Sequence, residues 1–198
     1  MRVLFFASLF LAAVIALPLV QDQILQLTAV PTEPTLGFSY TVCSGSSDPT
    51  KLTALSVGPD PIIISKSSNT SVTVSGAGEL DETITGASAK IVMKKKILGI
   101  WTEIPCVDNV GSCTYTDLCS MLPSGDCPPF MQQYGIPCHC PMAPFKVNIP
   151  STVVEIPPVK QIPSFLAKGD YQVKATLTDS TGKEVICVQV EVGLQIQN

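Results

Sequence analysis

Residues of the kinds that catalyse reactions are scarce in this chain. Its 198 residues contain one histidine, His139, which lies between Cys138 and Cys140. A metal site would use these three residues with other cysteines, but paired metal ligands are normally separated by two or more residues. A Cys-His nucleophile would need a thiolate, and all the thiols can pair as disulfides. The adjacent carboxylates Asp81 and Glu82 are flanked by glycines, which is typical of a solvated turn.

The chain also contains no G-x-S-x-G elbow, P-loop or H-E-x-x-H sequence. We therefore predict a protein that is not an enzyme, with no catalytic residues, no metal and no cofactor. A secreted hydrolase that uses His139 is the disfavoured alternative. Nucleic acid is not expected as a partner either, because the net charge is −4 and Arg2 is the single arginine.

The cysteines indicate an oxidising compartment, where an even number of them predicts disulfide bonds. Six of the eight lie in residues 105–145 together with seven prolines, which predicts a stapled lobe rather than sheet. Cys43 and Cys187 lie on the first and last predicted strands, so a bridge between them would join the ends of the domain. The spacing alone leaves the pairing open. The eight are Cys43, Cys106, Cys113, Cys119, Cys127, Cys138, Cys140 and Cys187.

The amino terminus has the pattern of a secretory signal peptide. A basic Arg2 precedes an apolar run that ends in Val14-Ile15-Ala16, so residues 1–16 are expected to be removed. The alternative is an uncleaved anchor over Val3–Val20. Residues 17–37, with three prolines, are predicted to be a pro-segment or flexible lead-in. Residues 38–198 then form the domain, in which Asn69-Thr70-Ser71 is an acceptor for N-glycosylation.

From Phe38 onwards the pattern is that of an all-β protein. Val188 to Val192 alternate strictly between apolar and polar, and Asp179-Ser180-Thr181-Gly182 is a hairpin turn before them. One short helix is predicted over Tyr115–Leu122, with Thr114 as its N-cap. The sequence therefore predicts a two-sheet sandwich or cup-like barrel. The predicted strands are Phe38–Cys43, Leu52–Val57, Ile62–Ile64, Ser71–Ser75, Ala89–Lys94, Ile97–Ile104, Lys146–Ile149, Thr152–Ile156, Tyr171–Thr178 and Glu184–Leu194.

Two apolar segments flanked by lysines are the candidate functional residues. Apolar side chains of this kind enter a membrane interface while ammonium groups meet anionic head groups. For Trp101 and Phe165 an ordinary place in the core is the alternative. The candidates are Leu98, Ile100 and Trp101 after Lys94-Lys95-Lys96, and Ile162, Phe165 and Leu166 in a proline-containing loop.

The order and local sequence resemble the ganglioside-activator branch of the lipid-recognition β-cup family. The resemblance covers about residues 38–194 and rests most specifically on the string from Tyr134 to Pro141. Other matching strings are Ile104-Pro105-Cys106 and Pro163-Ser164-Phe165-Leu166. Phe165 departs from the family, whose loop carries tryptophan there.

The resemblance implies a fold, a ligand and a partner. The fold is a two-sheet β-cup that encloses a hydrophobic lipid cavity, with apolar loops that touch anionic membranes. The protein would extract a glycosphingolipid, a ganglioside, and present it to a lysosomal β-hexosaminidase without catalysing anything itself, in the lysosome or also outside the cell. The implied disulfides are Cys43–Cys187, Cys106–Cys113, Cys119–Cys140 and Cys127–Cys138.

Two other functions remain open at this point. One is a secreted carrier of sterol or phospholipid without an enzyme partner. The other is a structural or inhibitory disulfide protein with a packed core and no ligand. A cavity of several hundred Å³ separates the carriers from the structural protein.

Overall fold

A computed structural model describes residues 36–159 and 168–197 of the chain. Ten β-strands dominate it, so the all-β prediction is confirmed. The strands are β1 (Ser39–Val42), β2 (Thr50–Gly58), β3 (Ile62–Ser65), β4 (Thr70–Leu80), β5 (Ala87–Ile97), β6 (Ile100–Glu103), β7 (Thr114–Tyr115), β8 (Phe145–Ile156), β9 (Gly169–Asp179) and β10 (Glu184–Gln197). Among the described residues no helix is long and apolar enough to cross a membrane.

The strands form two sheets. The larger has the central order β1-β10-β9-β5-β6, and the smaller has the order β2-β4-β8. Two long strands of the larger sheet, β10 and β5, each pair with two short strands along the edge that does not pair with β9. Strand β10 pairs with β1 and then, in parallel, with β3, while β5 pairs with β7 and then β6. The predicted turn between β9 and β10 is confirmed, and Gly182 within it has a φ of +86°.

Strand β8 explains why the sequence suggests two strands where the structure has one. Phe145, Val147 and Ile149 are half-buried in alternation with exposed neighbours, and the alternation then shifts by one residue. The shift coincides with an irregular register opposite Val74 and Gly76 of β4. A bulge of this kind adds a residue to one strand and reverses the faces beyond it.

Two other predictions about local structure are wrong. Thr114 and Tyr115 do not begin a helix, because they pair with Lys90 and Ala89 of β5 as strand β7. Only a single 3₁₀ turn, Cys119–Met121, follows. The short α-helix of the lobe, α1, lies instead at Pro129–Gln133, where proline occupies the first turn. The predicted strand Ile97–Ile104 is interrupted by a turn at Leu98-Gly99.

Apolar side chains form two buried clusters, of which only the first draws residues from both sheets. One contains Leu80, Ile84, Ala87 and Val185, and partly buried Phe145 and Leu177 pack against it. The other contains Ile104, Tyr171 and Val192, with Met93 and Phe38 packed against it. The first cluster lies near the turn between β9 and β10, and the second lies towards the opposite end of the same strands.

Four disulfides join the loops and strands: Cys43–Cys187, Cys106–Cys113, Cys119–Cys140 and Cys127–Cys138. These are the four pairs that the family resemblance implies. Their Cα–Cα distances run from 4.9 to 5.7 Å, within the usual range for disulfides. Three of the four staple the lobe after β6, and Cys43–Cys187 fixes the end of β1 to β10.

Candidate functional site

An apolar cavity of about 350 Å³ lies between the two sheets beside the first buried cluster. The smaller sheet supplies most of its wall, and the ends of β9 and β10 supply the rest. Ile84 and Met142, which pair in an isolated bridge, close one side. The lining consists of Thr50, Lys51, Leu52, Leu55, Gly76, Ala77, Gly78, Glu79, Leu80, Ile84, Met142, Phe145, Val147, Ile149, Leu177, Val185 and Ile186.

The cavity exists because the central strand of the smaller sheet carries glycine where it faces inward. Gly76 and Gly78 share a face with Leu80, since side chains two residues apart lie on one side of a strand. A Cβ on Gly76 would lie 3.8 Å from Leu55 Cδ1, which itself lines the cavity. A Cβ on Gly78 would lie 2.8 Å from the backbone oxygen of Lys51. Side chains at these positions would fill the space between the sheets.

Charged side chains near the cavity belong to the outer face of the smaller sheet. Lys51, Glu79 and Lys146 are neighbours across β2, β4 and β8. Lys146 Nζ lies 2.7 Å from Glu79, and Lys51 Nζ lies 3.3 Å from it and 2.8 Å from Asp81. The hydrogen bond from Lys146 is the main cause that lowers the pKa of Glu79, and the bond to Asp81 chiefly raises the pKa of Lys51. The interior wall is left apolar.

In the described part of the chain, His139, Asp81 and Glu82 are not placed beside a free thiolate or another group with which they could catalyse a reaction. His139 is exposed, and one of its ring nitrogens lies within 4.8 Å of the sulphurs of Cys127 and Cys138. Those two sulphurs are bonded to each other, so they are not thiolate ligands or nucleophiles. The carboxylates of Asp81 and Glu82 each pair with a lysine, Lys51 and Lys183 respectively.

The first predicted membrane segment forms the hairpin between β5 and β6. Leu98 and Gly99 both have positive φ, +49° and +83°, as a two-residue turn of this hand requires. The turn exposes three large apolar side chains, because Leu98 is 83% exposed, Ile100 70% and Ile97 48%. We call Ile97, Leu98 and Ile100 the hairpin tip.

Side chains along β5 and β6 point alternately to the outer, solvent-facing side of the larger sheet and to its inner side, which faces the core. Lys96 and Trp101 are cross-strand partners on the outer face, and the Lys96 ammonium lies 5.8 Å from the centroid of the Trp101 ring. Lys95 lies on the inner face, with its ammonium 5.4 Å from the centroid of the Tyr171 ring. Trp101 is half-buried against the hairpin and does not line the cavity.

The hairpin tip and the cavity lie at different ends of the larger sheet. Leu177 lines the cavity and pairs with Ala89 of β5. Leu98 is nine residues further on, which corresponds to about 30 Å along an extended strand. The structure therefore separates Leu98, Ile100 and Trp101 from the cavity. Ile162, Phe165 and Leu166 lie outside the described residues.

Sequence reasoning missed the residues that line the cavity. The signal that could have indicated them is the pair Gly76 and Gly78 inside a long strand, because glycine within a strand leaves space for a ligand or another backbone. Asn69, the predicted acceptor for N-glycosylation, lies exposed between β3 and β4.

Comparison with known proteins assigns the fold to a family. Residues 37–194 match the ML domain, which covers nearly all of the described structure. This chain belongs to the ML-domain family. Among ML-domain relatives, the ganglioside GM2 activator of Macaca fascicularis is 33% identical over 164 residues, which are 80% of this chain and 83% of the relative. The ganglioside GM2 activator of Mus musculus is 31% identical over 165 residues, 80% of this chain and 82% of the relative.

A more distant relative comes from Dictyostelium discoideum. Its name refers to phosphatidylglycerol/phosphatidylinositol transfer, and it is 26% identical over 160 residues, 80% of this chain and 87% of the relative. The resemblance to the ganglioside-activator branch is confirmed, because two of its members are related to this chain over most of its length. The ML-domain match contains strands β1 to β9 whole and β10 as far as Leu194.

Proposed function

We propose that this ML-domain protein is a non-enzymatic lipid-transfer protein that takes a glycosphingolipid from membranes into its apolar cavity. The cavity is the observation that carries the proposal. Its volume of about 350 Å³ falls within the range of ligand sites, and its wall consists mainly of leucine, isoleucine, valine and glycine with Ala77, Met142 and Phe145. Withdrawing an acyl chain into water costs about 0.8 kcal/mol for each CH₂ group, so a carrier must supply apolar surface in exchange.

The choice of a glycosphingolipid, a ganglioside, rests on the two mammalian relatives that are named for ganglioside GM2. The resemblance of its sequence to the ganglioside-activator branch is the reason for proposing also that the protein presents its lipid to a lysosomal β-hexosaminidase and acts in the lysosome or after secretion. Anionic membranes are its other partner, and they are touched by the hairpin tip with Trp101 and by Ile162, Phe165 and Leu166. The protein would reach either place by the secretory route, on which residues 1–16 are removed and Asn69 receives a glycan.

A carrier of sterol or phospholipid without an enzyme partner is the second candidate. The Dictyostelium discoideum relative favours the phospholipid form of it, since its name refers to phospholipid transfer. Both candidates need the same cavity. They differ in the head group of the bound lipid and in the response of a hydrolase.

The experiment compares two variants that place the same side chain at different sites on β8. Val147 lines the cavity, so Val147→Phe reduces its volume. Val153 is 62% exposed on the same strand, so Val153→Phe is the matched control. Each purified protein is offered vesicles containing a ganglioside, a phospholipid probe or cholesterol, and bound lipid is identified by native mass spectrometry.

We expect the wild-type protein and Val153→Phe to take up the ganglioside and Val147→Phe to take up at least several-fold less. Adding β-hexosaminidase to the ganglioside vesicles then tests presentation, because hydrolysis should rise only with the two lipid-binding proteins. Uptake of phospholipid or cholesterol alone would favour the second candidate. Equal uptake by Val147→Phe and Val153→Phe would contradict the cavity as the binding site.

A further inference from the structure

One side of the cavity lies where the two sheets meet. Strand β2 of the smaller sheet contacts β10 of the larger sheet there, and we call this contact the seam. Thr50 and Leu52 of β2 line the cavity on one side of the seam, and Val185 and Ile186 of β10 line it on the other. A small separation of β2 from β10 would therefore open the cavity along the seam.

Two carboxyl groups meet next to the seam. Asp48 lies two residues before Thr50, and Glu184 lies one residue before Val185. The side chains of Asp48 and Glu184 are joined by a hydrogen bond, and both residues are half-buried. Asp48 Oδ2 also accepts the backbone N–H of Gly45, at a nitrogen–oxygen distance of 2.8 Å. Because this second bond suits a carboxylate, the proton between the two groups belongs on Glu184.

The loop that carries Asp48 leads from the larger sheet to the smaller one. We call this loop, residues 43–49 between β1 and β2, the strap. A disulfide fixes its first residue to Cys187 of β10, and Ser44 Oγ accepts the N–H of Cys187 at 2.6 Å. Among the described residues, the only further side-chain bond from the strap to β10 is the one between Asp48 and Glu184. The carboxyl pair therefore holds the end of the strap nearest β2 against β10.

The charged groups around the pair determine when Glu184 loses its proton. Lys174 of β9 is the cation whose charge favours the ionised form of Glu184. Lys183 Nζ is held instead by Glu82 at 2.9 and 3.0 Å, and Asp179 Oδ1 accepts the backbone N–H of Lys183. Burial, followed by the hydrogen bond and charge of the partner carboxylate, raises the pKa of Glu184 above the ordinary 4.5. The proton is therefore retained in an acidic compartment and lost as the pH rises through this raised value, after which two adjacent negative charges repel each other.

We propose that Asp48 and Glu184 form a pH-sensitive latch, which holds the strap and β2 against β10 in acid and loosens the seam of the cavity at neutral pH. The inference rests on the proposed lipid-transfer function and deepens it by adding regulation of the same cavity. An apolar ligand is retained while the latch is closed, and it enters and leaves faster when the latch is open.

The test measures how fast an apolar ligand leaves the cavity at pH 5 and at pH 7. The uncharged fluorescent probe N-phenyl-1-naphthylamine is bound to the protein, and its release to an excess of phosphatidylcholine vesicles is followed by stopped flow. The variants are Glu184→Gln and Asp48→Asn. The matched control is Glu155→Gln, because Glu155 is an exposed carboxylate on β8 that bonds to Ser71. Val147→Phe should bind the probe weakly, which places the probe in the cavity.

We expect the wild type and Glu155→Gln to release the probe about tenfold faster at pH 7 than at pH 5, because a pKa that differs by one between two states changes their equilibrium by that factor. Glu184→Gln and Asp48→Asn should release it at the slow rate at both pH values. Hydrogen exchange of the amides of residues 50–52, corrected for intrinsic rates, should follow the same pattern.

Two kinds of failure can be told apart. A wild type that binds the probe but releases it equally fast at both pH values overturns the latch alone, and so does a Glu184→Gln variant that keeps the wild-type difference. A wild type that binds no probe contradicts the lipid-transfer proposal, and hydrogen exchange then decides whether the latch exists.

Discussion

Lys96 and Trp101 face each other across the β5–β6 hairpin, with the ammonium nitrogen 5.8 Å from the centroid of the indole ring. A cation over an aromatic ring contributes about 0.5–2 kcal/mol, with more as the pair is removed from water, and Trp101 is half-buried. Trp101 is also the single tryptophan of the chain, so its fluorescence reports the environment of the hairpin without a label.

The first prediction concerns binding of the hairpin tip to membranes. Adding vesicles that contain anionic lipid should shift the Trp101 emission to shorter wavelength, because the indole enters the interface. The double variant Leu98→Ser with Ile100→Ser should bind vesicles at least tenfold more weakly, since burial of each side chain contributes about 1.5–3 kcal/mol. Both side chains are exposed, so the unfolding temperature should stay near that of the wild type.

The control for this prediction is Val153→Ser, which removes an exposed apolar side chain from β8 instead. It should bind vesicles like the wild type. A Trp101 emission that does not respond to vesicles, together with undiminished sedimentation of the double variant, would remove the hairpin from the membrane-binding surface.

The second prediction concerns the inward glycines of β4. Gly78→Ala should lower the free energy of unfolding by about 1–3 kcal/mol, because the new Cβ would lie 2.8 Å from the backbone oxygen of Lys51. Gly125→Ala is the control, because no atom lies within 4 Å of a Cβ built there. Urea unfolding measures both. If the two variants have the same free energy of unfolding, the close approach of β2 to β4 is not the reason that position 78 is glycine.

The third prediction compares the longest and shortest disulfide loops. Cys43 and Cys187 are 144 residues apart, whereas Cys106 and Cys113 are 7 apart. In the chain-entropy account, replacing the first pair by serine costs about 5 kcal/mol and replacing the second costs about 2 kcal/mol. Guanidinium unfolding of the two double variants measures the difference. A larger loss from the short loop would mean that local packing, rather than loop closure, sets the contribution of each bridge.

The fourth prediction concerns two carboxyl groups whose pKa values move in opposite directions. Burial, followed by the hydrogen bond and charge of Asp48, raises the pKa of Glu184. The folded protein therefore holds this proton more tightly than the unfolded chain, and the stability it contributes is lost as the pH rises above about 4.5 through the raised pKa. Glu184→Gln should therefore unfold at a higher temperature than the wild type at pH 7, with the difference shrinking towards pH 4.

Glu79 should show the opposite dependence of stability on pH in the same thermal unfolding measurement. The hydrogen bond from Lys146 lowers its pKa below the ordinary 4.5, so its contribution is present at neutral pH and is lost as the pH falls through the lowered value. Glu79→Gln should unfold at a lower temperature than the wild type at pH 7, and the two should converge in acid. Variants that shift together at every pH would show that the assigned contacts are not responsible.

Local sequence was sufficient for most strands and one tight turn, but not for the lobe. The strict alternation of Val188 to Val192 and the glycine of the β9–β10 turn are local signals, and the structure follows them. Thr114 and Tyr115 have a local pattern that suits a helix start, yet pairing with Lys90 and Ala89 of β5 makes them strand. Hydrogen bonds to a distant strand outweighed the weak preference of a short segment.

Part of the candidate site could likewise be predicted from the sequence, and part depends on the structure. The apolar and basic composition of the segment from Lys94 to Trp101 is visible in the sequence, and so is its suitability for a membrane surface. The structure alone decides that Lys95 faces inward while Lys94 and Lys96 face outward, because that depends on pairing with Tyr171 and Trp101. The cavity is also a tertiary property, since it needs inward Gly76 and Gly78 to lie opposite Leu177 and Val185 of another sheet.

Alternation of apolar residues is a local property of the chain, so the fold class and most strands could be predicted without the structure. The resemblance of its strings to a known family added the four cysteine pairs and the expectation of a lipid. Where the space for a ligand lies, and which of the three consecutive lysines faces inward, depend on the tertiary structure. Empty volume and side-chain direction arise only when strands distant in sequence are packed together, so no local pattern encodes them.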